Sequence, residues 1–338
     1  MSDTTPDRDL KFPPVVGAGP DGASIAPATP EAAVVADLPD GIDLVHESGL
    51  ELKSRSQWAY ARRRFFRHRL AMVSLVVLVT ILLAGVFAPL IAPYPFAAQD
   101  FAHSGQPPSL AGKHYFGTDV LGRDYFSRVI YGIRTSAKVA LIVTLVSTIV
   151  GTIIGAVAGY YTGWIDNVLM RFTDLILTLP GLAVLLTAAA FIGTGNPTRV
   201  AFILALLFWT GLARIVRGSF LSLREKEYVE AAKAAGSGDL RIMFRHMLPN
   251  AIGPIVVNAT LIVGIAILTE AALSFLGFGI QPPNPSLGKL INDGQDVSSS
   301  MWWLVTFPGL TIVLIVLCIN FIGDGLRDAL DPTQRRRA

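Results

Sequence analysis

The stretch Val139–Tyr160, VALIVTLVSTIVGTIIGAVAGY, carries no charged side chain over 22 residues, and its reading decides the fold. At about 1.5 Å of rise per residue, a helix of this length crosses the roughly 30 Å hydrocarbon core of a bilayer. Without water there, every backbone N–H and C=O must be satisfied internally, which leaves a helix or a closed barrel. Gly151, Gly155 and Gly159 recur four residues apart, so one helix face is stripped of side chains and admits a neighbouring backbone at close range. This helix is predicted to sit at the centre of a bundle.

Five further apolar stretches lie on either side of it: Leu70–Ile91, Leu175–Ile192, Val200–Val216, Ile252–Leu276 and Met301–Gly323. The fold class is therefore all-α, a polytopic membrane protein with six transmembrane helices. Arg214 lies near the end of the fourth stretch, from which it and Arg217 can snorkel to the interface. Pro180–Gly181 and Pro308–Gly309 fall inside the third and sixth, where a missing N–H and a ring clash bend a helix locally.

Composition agrees. Of 338 residues, 52% are hydrophobic and 16% charged, more apolar and less charged than the roughly 45–50% and 25% of soluble domains. The net charge of +3 comes from basic residues beside apolar runs rather than from one patch interleaved with aromatics, which argues for membrane flanks and against nucleic acid. A single cysteine, Cys318, inside an apolar run, excludes an internal disulfide framework.

The lysine and arginine bias sets orientation. Arg62, Arg63, Arg64, Arg67 and Arg69 precede the first span, and Arg327 and Arg335–Arg337 follow the last, so both termini are expected in the cytoplasm. The connection between the fourth and fifth spans is basic as well. The segment Phe101–Lys138 resists the rule: it is expected outside, yet holds Arg123, Arg128, Arg134 and Lys138, which Asp119 and Asp124 offset in part. Residues 1–60, rich in Pro, Ala, Gly and Asp, read as a disordered cytoplasmic tail. The first apolar stretch starts too late and runs too long for a signal peptide. The remainder divides into a first span with its external loop (61–134), a transmembrane core (135–332) with a cytoplasmic connection at 217–249, and a short tail (333–338).

That connection contains EYVEAAKAAGSGDLRIMFRHMLPN, residues 227–250. Its start is a strong helix former ended by Gly236, suited to the left-handed cap. Asp239 is positioned to cap a second helix, which Pro249 is expected to end. Ala231, Ala232, Ala234 and Ala235 leave the first helix little bulk, so it fits a partner's cleft and makes a stiff contact there.

The segment resembles the signature of permease subunits of binding-protein-dependent ATP-binding-cassette importers. That pattern is Glu-Ala-Ala, three residues, Gly, nine residues, an aliphatic position, one residue, then Leu-Pro, met here by Glu230, Ala231, Ala232, Gly236, Leu248 and Pro249. His246 stands at the aliphatic position. The run Arg245–Asn250, the stretch Phe116–Arg128 and the stretches Leu268–Gly277 and Asn320–Pro332 resemble the second, C-type permease of the dipeptide, oligopeptide and nickel branch. The resemblance spans about Ala61 to Pro332 and implies a type I importer permease fold. It also implies that Glu227, Glu230, Ala231, Ala232, Gly236, Asp239, Arg245, His246, Leu248 and Pro249 form the contact with an ATP-binding subunit. The implied partners are two ATPase subunits, a second homologous permease, and an extracytoplasmic solute-binding protein, with peptides as cargo; nickel, another chelated metal or glutathione are the alternatives within the branch.

No Gly-x-x-x-x-Gly-Lys-Ser/Thr occurs, so ATP and its Mg are expected on partner chains, and no cofactor or catalytic residue is assigned here. His46, His68, His103, His114 and His246 read as isolated surface or interface residues, with no metal site. Asn258, Glu270 and Asn320 are the polar candidates for the translocation path. Counting from Ile252 places Glu270 near the outer interface, where solvation by water or headgroups, or a structural helix contact, is a commoner role than substrate binding. A self-sufficient channel or ion-coupled carrier would need paired intramembrane charges, and an intramembrane enzyme a nucleophile and base, neither of which the spans supply.

Overall fold

A computed structural model describes residues 57–110, 113–193 and 195–330; the expected tails at either end, His46 and Arg335–Arg337 lie outside the described residues, except that helix already begins at Gln57. In chain order the principal helices are α1 (Gln57–Arg67), α2 (Arg69–Val86), α3 (Tyr125–Tyr161), α4 (Gly163–Thr178), α5 (Gly181–Ile192) and α6 (Pro197–Arg224). There follow α7 (Glu227–Ala234), α8 (Leu248–Phe275), α9 (Leu287–Gln295) and α10 (Trp303–Leu330). No strand is formed among the described residues beyond two isolated bridges in the segment before α3.

Among the described residues, five helices are long and apolar enough to cross a membrane: α2, α3, α6, α8 with the turns that lead into it, and α10. The expected third span is not one rod. It is the pair α4 and α5, bent by 88° at Leu179–Pro180. Pro180 has no N–H and its neighbour is forced out of the helical region, so Leu179 turns extended and a new helix starts at Gly181.

Helix α3 is central. It is 37 residues long, about 55 Å, so it projects well beyond a bilayer core. The glycine stripe does what its spacing requires: a methyl group on Gly151 would stand 2.7 Å from the Trp209 carbonyl, one on Gly155 2.4 Å from that of Ala213, and one on Gly159 2.7 Å from that of Arg217. The contacted residues on α6 are also four apart, so the two helices mesh closely along this stripe. Val139, Val143, Leu204, Leu212, Val216 and Phe220 fill the core around this seam.

α10 runs on through Pro308 as one helix. The carbonyl that the proline leaves without a partner, that of Leu304, accepts a hydrogen bond from the Tyr125 hydroxyl at 2.6 Å. The same hydroxyl lies 2.9 Å from the Leu290 carbonyl, which ties α9, α10 and the start of α3 together.

At this α9 end of the bundle two of the troublesome basic residues, Arg123 and Arg128, are paired with acids. Arg128, Arg134 and Lys138 lie within helix α3 rather than in a loop. Asp119 receives Arg123 Nε and Arg128 Nη1, both at 2.6 Å, together with the N–H groups of Leu121 and Arg123. Arg128 reaches on to Asp293, which Lys289 also pairs at 3.0 Å. Arg123 and Arg128, neutralised inside the fold, carry little weight in a topology rule based on membrane-facing lysine and arginine, whereas Arg134 and Lys138 are exposed on α3.

His114 is not the isolated surface residue expected. It is buried, its Nδ1 is 2.9 Å from Asp124, and Tyr94 stacks on its ring. Asp124 also caps α3 by accepting from the Ser127 N–H at 2.8 Å. His103 pairs with Asp100 at 2.7 Å, and that hydrogen bond holds the Asp100 carboxyl below the usual carboxylate range. His68 caps α2 through the Ala71 N–H.

Candidate functional site: the elbow between α6 and α8

The site lies at the opposite end of the bundle, where α6 stops at Arg224. Both ends of the described chain meet there: Ala71 packs on Gly325, and His68 is 4.0 Å from Asp328. Because α6 runs eight residues past Val216, the connection is shorter than the sequence suggested. Arg214 and Arg217 do not snorkel from a helix end. Arg217 grips Asp166 of α4 with two parallel hydrogen bonds of 2.5 and 2.6 Å, and Arg214 pairs with Asp174.

Helix α7 forms because Glu227 and Glu230 occupy its first turn and Lys233 its last, matching the helix dipole, with alanines between. It ends in a Schellman turn. The Gly236 N–H donates to the Lys233 carbonyl at 2.9 Å and the Ser237 N–H to that of Ala232 at 3.0 Å. Gly236 has φ +76°, while the space around it is open. Glycine is therefore required by the backbone alone, and Gly236→Ala is expected to cost about 1 kcal/mol, a small drop in a detergent melting curve with no change in packing.

Two expectations are corrected beyond this turn. Asp239 does not cap: Gly238 holds the N-cap position, and the Asp239 carboxylate instead accepts a 2.7 Å hydrogen bond from the Tyr160 hydroxyl. Pro249 does not end a helix; it opens α8. The turns Asp239–Arg241 and Ile242–Met247 run straight into α8, the latter as a π-helix. The proline ring at 249 would meet the Arg245 carbonyl in an α-helix, and the wider π turn removes that clash.

Val229, Ile242 and Met247 are fully buried and anchor the elbow in the core. What remains outward is small or amphipathic. Glu227, Glu230, Ala231, Lys233, Ala234 and Ala235 are exposed and Ala232 half-buried, next to the exposed apolar side chains Tyr228, Leu240 and Phe244. Asn250 donates to the Tyr228 hydroxyl at 3.3 Å and to the His246 carbonyl at 2.7 Å. Partial burial raises the Tyr228 pKa and keeps the hydroxyl protonated. Arg245 is exposed and His246 and Leu248 half-buried. The ten residues expected at the contact thus form one continuous elbow.

The three polar residues of the spans are not brought together with it. Glu270 is fully buried at the α9 end, accepting from Ser136 at 2.8 Å and Ser274 at 2.6 Å. Solvation by water or headgroups is thereby excluded, and the helix contact stands. Asn258 donates to the Pro254 carbonyl of its own helix, and Asn320 is exposed on α10. Sequence reasoning missed Tyr160, Asp166 and Thr162, the last accepting from Arg224 at 2.7 Å. These partners lie 51 to 79 residues from the groups they hold, beyond any local pattern.

Residues 151–336 match the family described as the binding-protein-dependent transport system inner membrane component, and residues 56–108 match the N-terminal transmembrane domain of oligopeptide transport permease C. The chain is 44% identical over 286 residues to the oligopeptide transport system permease protein OppC of Escherichia coli, covering 85% of this chain and 94% of that one. It is 41% identical over 280 residues to the dipeptide transport system permease protein DppC of Alkalihalophilus pseudofirmus, covering 83% and 91%. With five apolar helices and a bent pair in the bundle, the chain belongs to the family of binding-protein-dependent transport system inner membrane components, as a multi-pass permease of its C-type branch.

Proposed function

We propose that this permease forms half of a peptide-conducting pathway and that α7 is the point at which ATP-hydrolysing subunits drive it. The observation that carries the reading is the exposed, alanine-faced α7, held stiffly by a Schellman turn and the buried Val229 anchor. A small helix inserted in a partner's cleft transmits push and pull only when its own attachment is rigid. Two ATP-binding subunits, carrying ATP and Mg, face the α7 end on the cytoplasmic side, in keeping with the basic flanks at Arg62–Arg69. A second homologous permease completes the path, and a solute-binding protein delivers cargo at the α9 end. Asn320, exposed on α10, is assigned to the path surface. Peptide cargo is supported by the names of the relatives, which are oligopeptide and dipeptide permeases.

The test is uptake of labelled trialanine by proteoliposomes holding the full complex and its binding protein. ATP-dependent uptake that unlabelled oligopeptides compete away is expected; uptake unaffected by them would contradict peptide cargo. In the same vesicles Glu230→Arg places a cation at the docking face, and uptake is expected to fall roughly tenfold or more, the scale of losing one central interface contact.

A further inference from the structure

Tyr160 stands where three features of the bundle meet. It follows Gly159, the last residue of the glycine stripe by which α3 lies against α6. Its hydroxyl donates to Asp239 at the start of the turns leading into α8, 2.7 Å away. The ammonium of Lys233, in the last turn of α7, sits 5.7 Å from its ring centroid. Its ring is largely buried, packed edge-to-face with Tyr161. No other side chain among these contacts touches both arms of the elbow and α3.

We infer that Tyr160 is a positioning residue for energy coupling: it clamps both arms of the elbow to the end of α3, so that displacement of α7 moves the meshed α3 and α6 pair together with α8. This rests on the reading of α7 as the docking helix. Without the clamp α7 would still dock through its exposed face, held by Val229 and the Gly236 turn, but its displacement would be taken up by the largely exposed segment 235–239 instead of reaching α3. A charge-assisted hydrogen bond and a cation–π contact converge on one ring, and each removes a different freedom of the elbow. The bond to Asp239 fixes where the second arm starts; the contact with Lys233 fixes where the first arm ends.

The experiment uses the complete complex with its binding protein in proteoliposomes, with trialanine uptake and ATP hydrolysis measured together. Tyr160→Phe keeps the ring and removes the hydroxyl. The result expected is a rise of roughly three- to tenfold in ATP hydrolysed per peptide carried, the scale of one charge-assisted hydrogen bond that is partly open to solvent. The ATP-binding subunits should still co-purify. Asp239→Ala should act in the same direction, and the double variant should be no worse than the poorer single one, because both remove the same bond.

A ratio equal to that of the unaltered complex, with Glu230→Arg still impairing uptake, overturns the role of Tyr160 and leaves the docking reading intact. If Glu230→Arg is also without effect, the docking reading itself falls. If Tyr160→Phe lowers uptake and hydrolysis in proportion, with less chain in the membrane, the tyrosine is merely structural and the inference is wrong. Independent, multiplying effects of the two substitutions contradict the clamp as well.

Discussion

Gly155→Leu is expected to remove the folded chain from a detergent extract or to lower its melting temperature by roughly 6–12 °C. A single methyl at this position already falls 2.4 Å from the Ala213 carbonyl and 2.8 Å from Val216 Cβ, and neither can move without moving α6. Backbone cannot yield as the tip of a flexible side chain does. Forcing the two helices apart forfeits the dispersion contacts along the seam, which in a bilayer are the main force holding helices together. Overpacking of this kind costs about 3 kcal/mol or more, and a chain of this size loses about 2–4 °C per kcal/mol. Gly211→Leu on α6 is the control: nothing lies within 4 Å of a methyl there, so its melting curve should overlay that of the unaltered chain.

Asp119→Ala is expected to destabilise by about 3–5 kcal/mol, seen as a fall in melting temperature and in membrane yield. Asp119 is 3% exposed and receives two guanidinium groups and two backbone N–H groups. Removing it leaves Arg128 buried with Asp293 at 3.4 Å as its remaining partner. Breaking a buried ion pair on one side costs more than the pair contributes, because the survivor keeps its desolvation penalty. Asp119→Asn retains an acceptor for the backbone groups and should lose less. Should Asp119→Ala melt with the unaltered chain, the account of the α9 end would be wrong.

Much of this architecture is written locally. The apolar runs mark the spans because the bilayer demands internal satisfaction of the backbone, and the four-residue glycine period names the face of α3 that meets α6. The end of α7 was equally legible, since a positive φ at Gly236 is a property of one residue. Other features are decided by partners distant in sequence. Hydropathy counts apolar residues, so it starts the second span at Val139; the helix starts at Tyr125 because its first turns are packed against α9 and α10 rather than against lipid. Glu270 sits near a span end by counting, yet Ser136 of α3, 134 residues away, supplies the hydrogen bond that lets it be buried. Pro249 reads as a helix stop from steric rules that assume α geometry, and the π turn before it changes that geometry.

At the elbow, the signature residues were contiguous in the sequence and remain contiguous in space, which made the site visible. The groups that hold it were not. Asp166 becomes a partner of Arg217 only when α4 lies beside α6, and Tyr160 a partner of Asp239 only when α3 ends beneath α7.

The central claim is that work enters the bundle through α7, and cross-linking reads it most directly. With Cys318 replaced by alanine, Ala235→Cys, exposed at the rim of the elbow, carries a thiol-attached benzophenone in the assembled complex. The account predicts an adduct with the ATP-binding subunit whose yield changes when ATP is added, and no such adduct from the same probe at Leu310→Cys on the exposed flank of α10. ATP-driven uptake in vesicles where the α7 probe never reaches an ATP-binding subunit would contradict it.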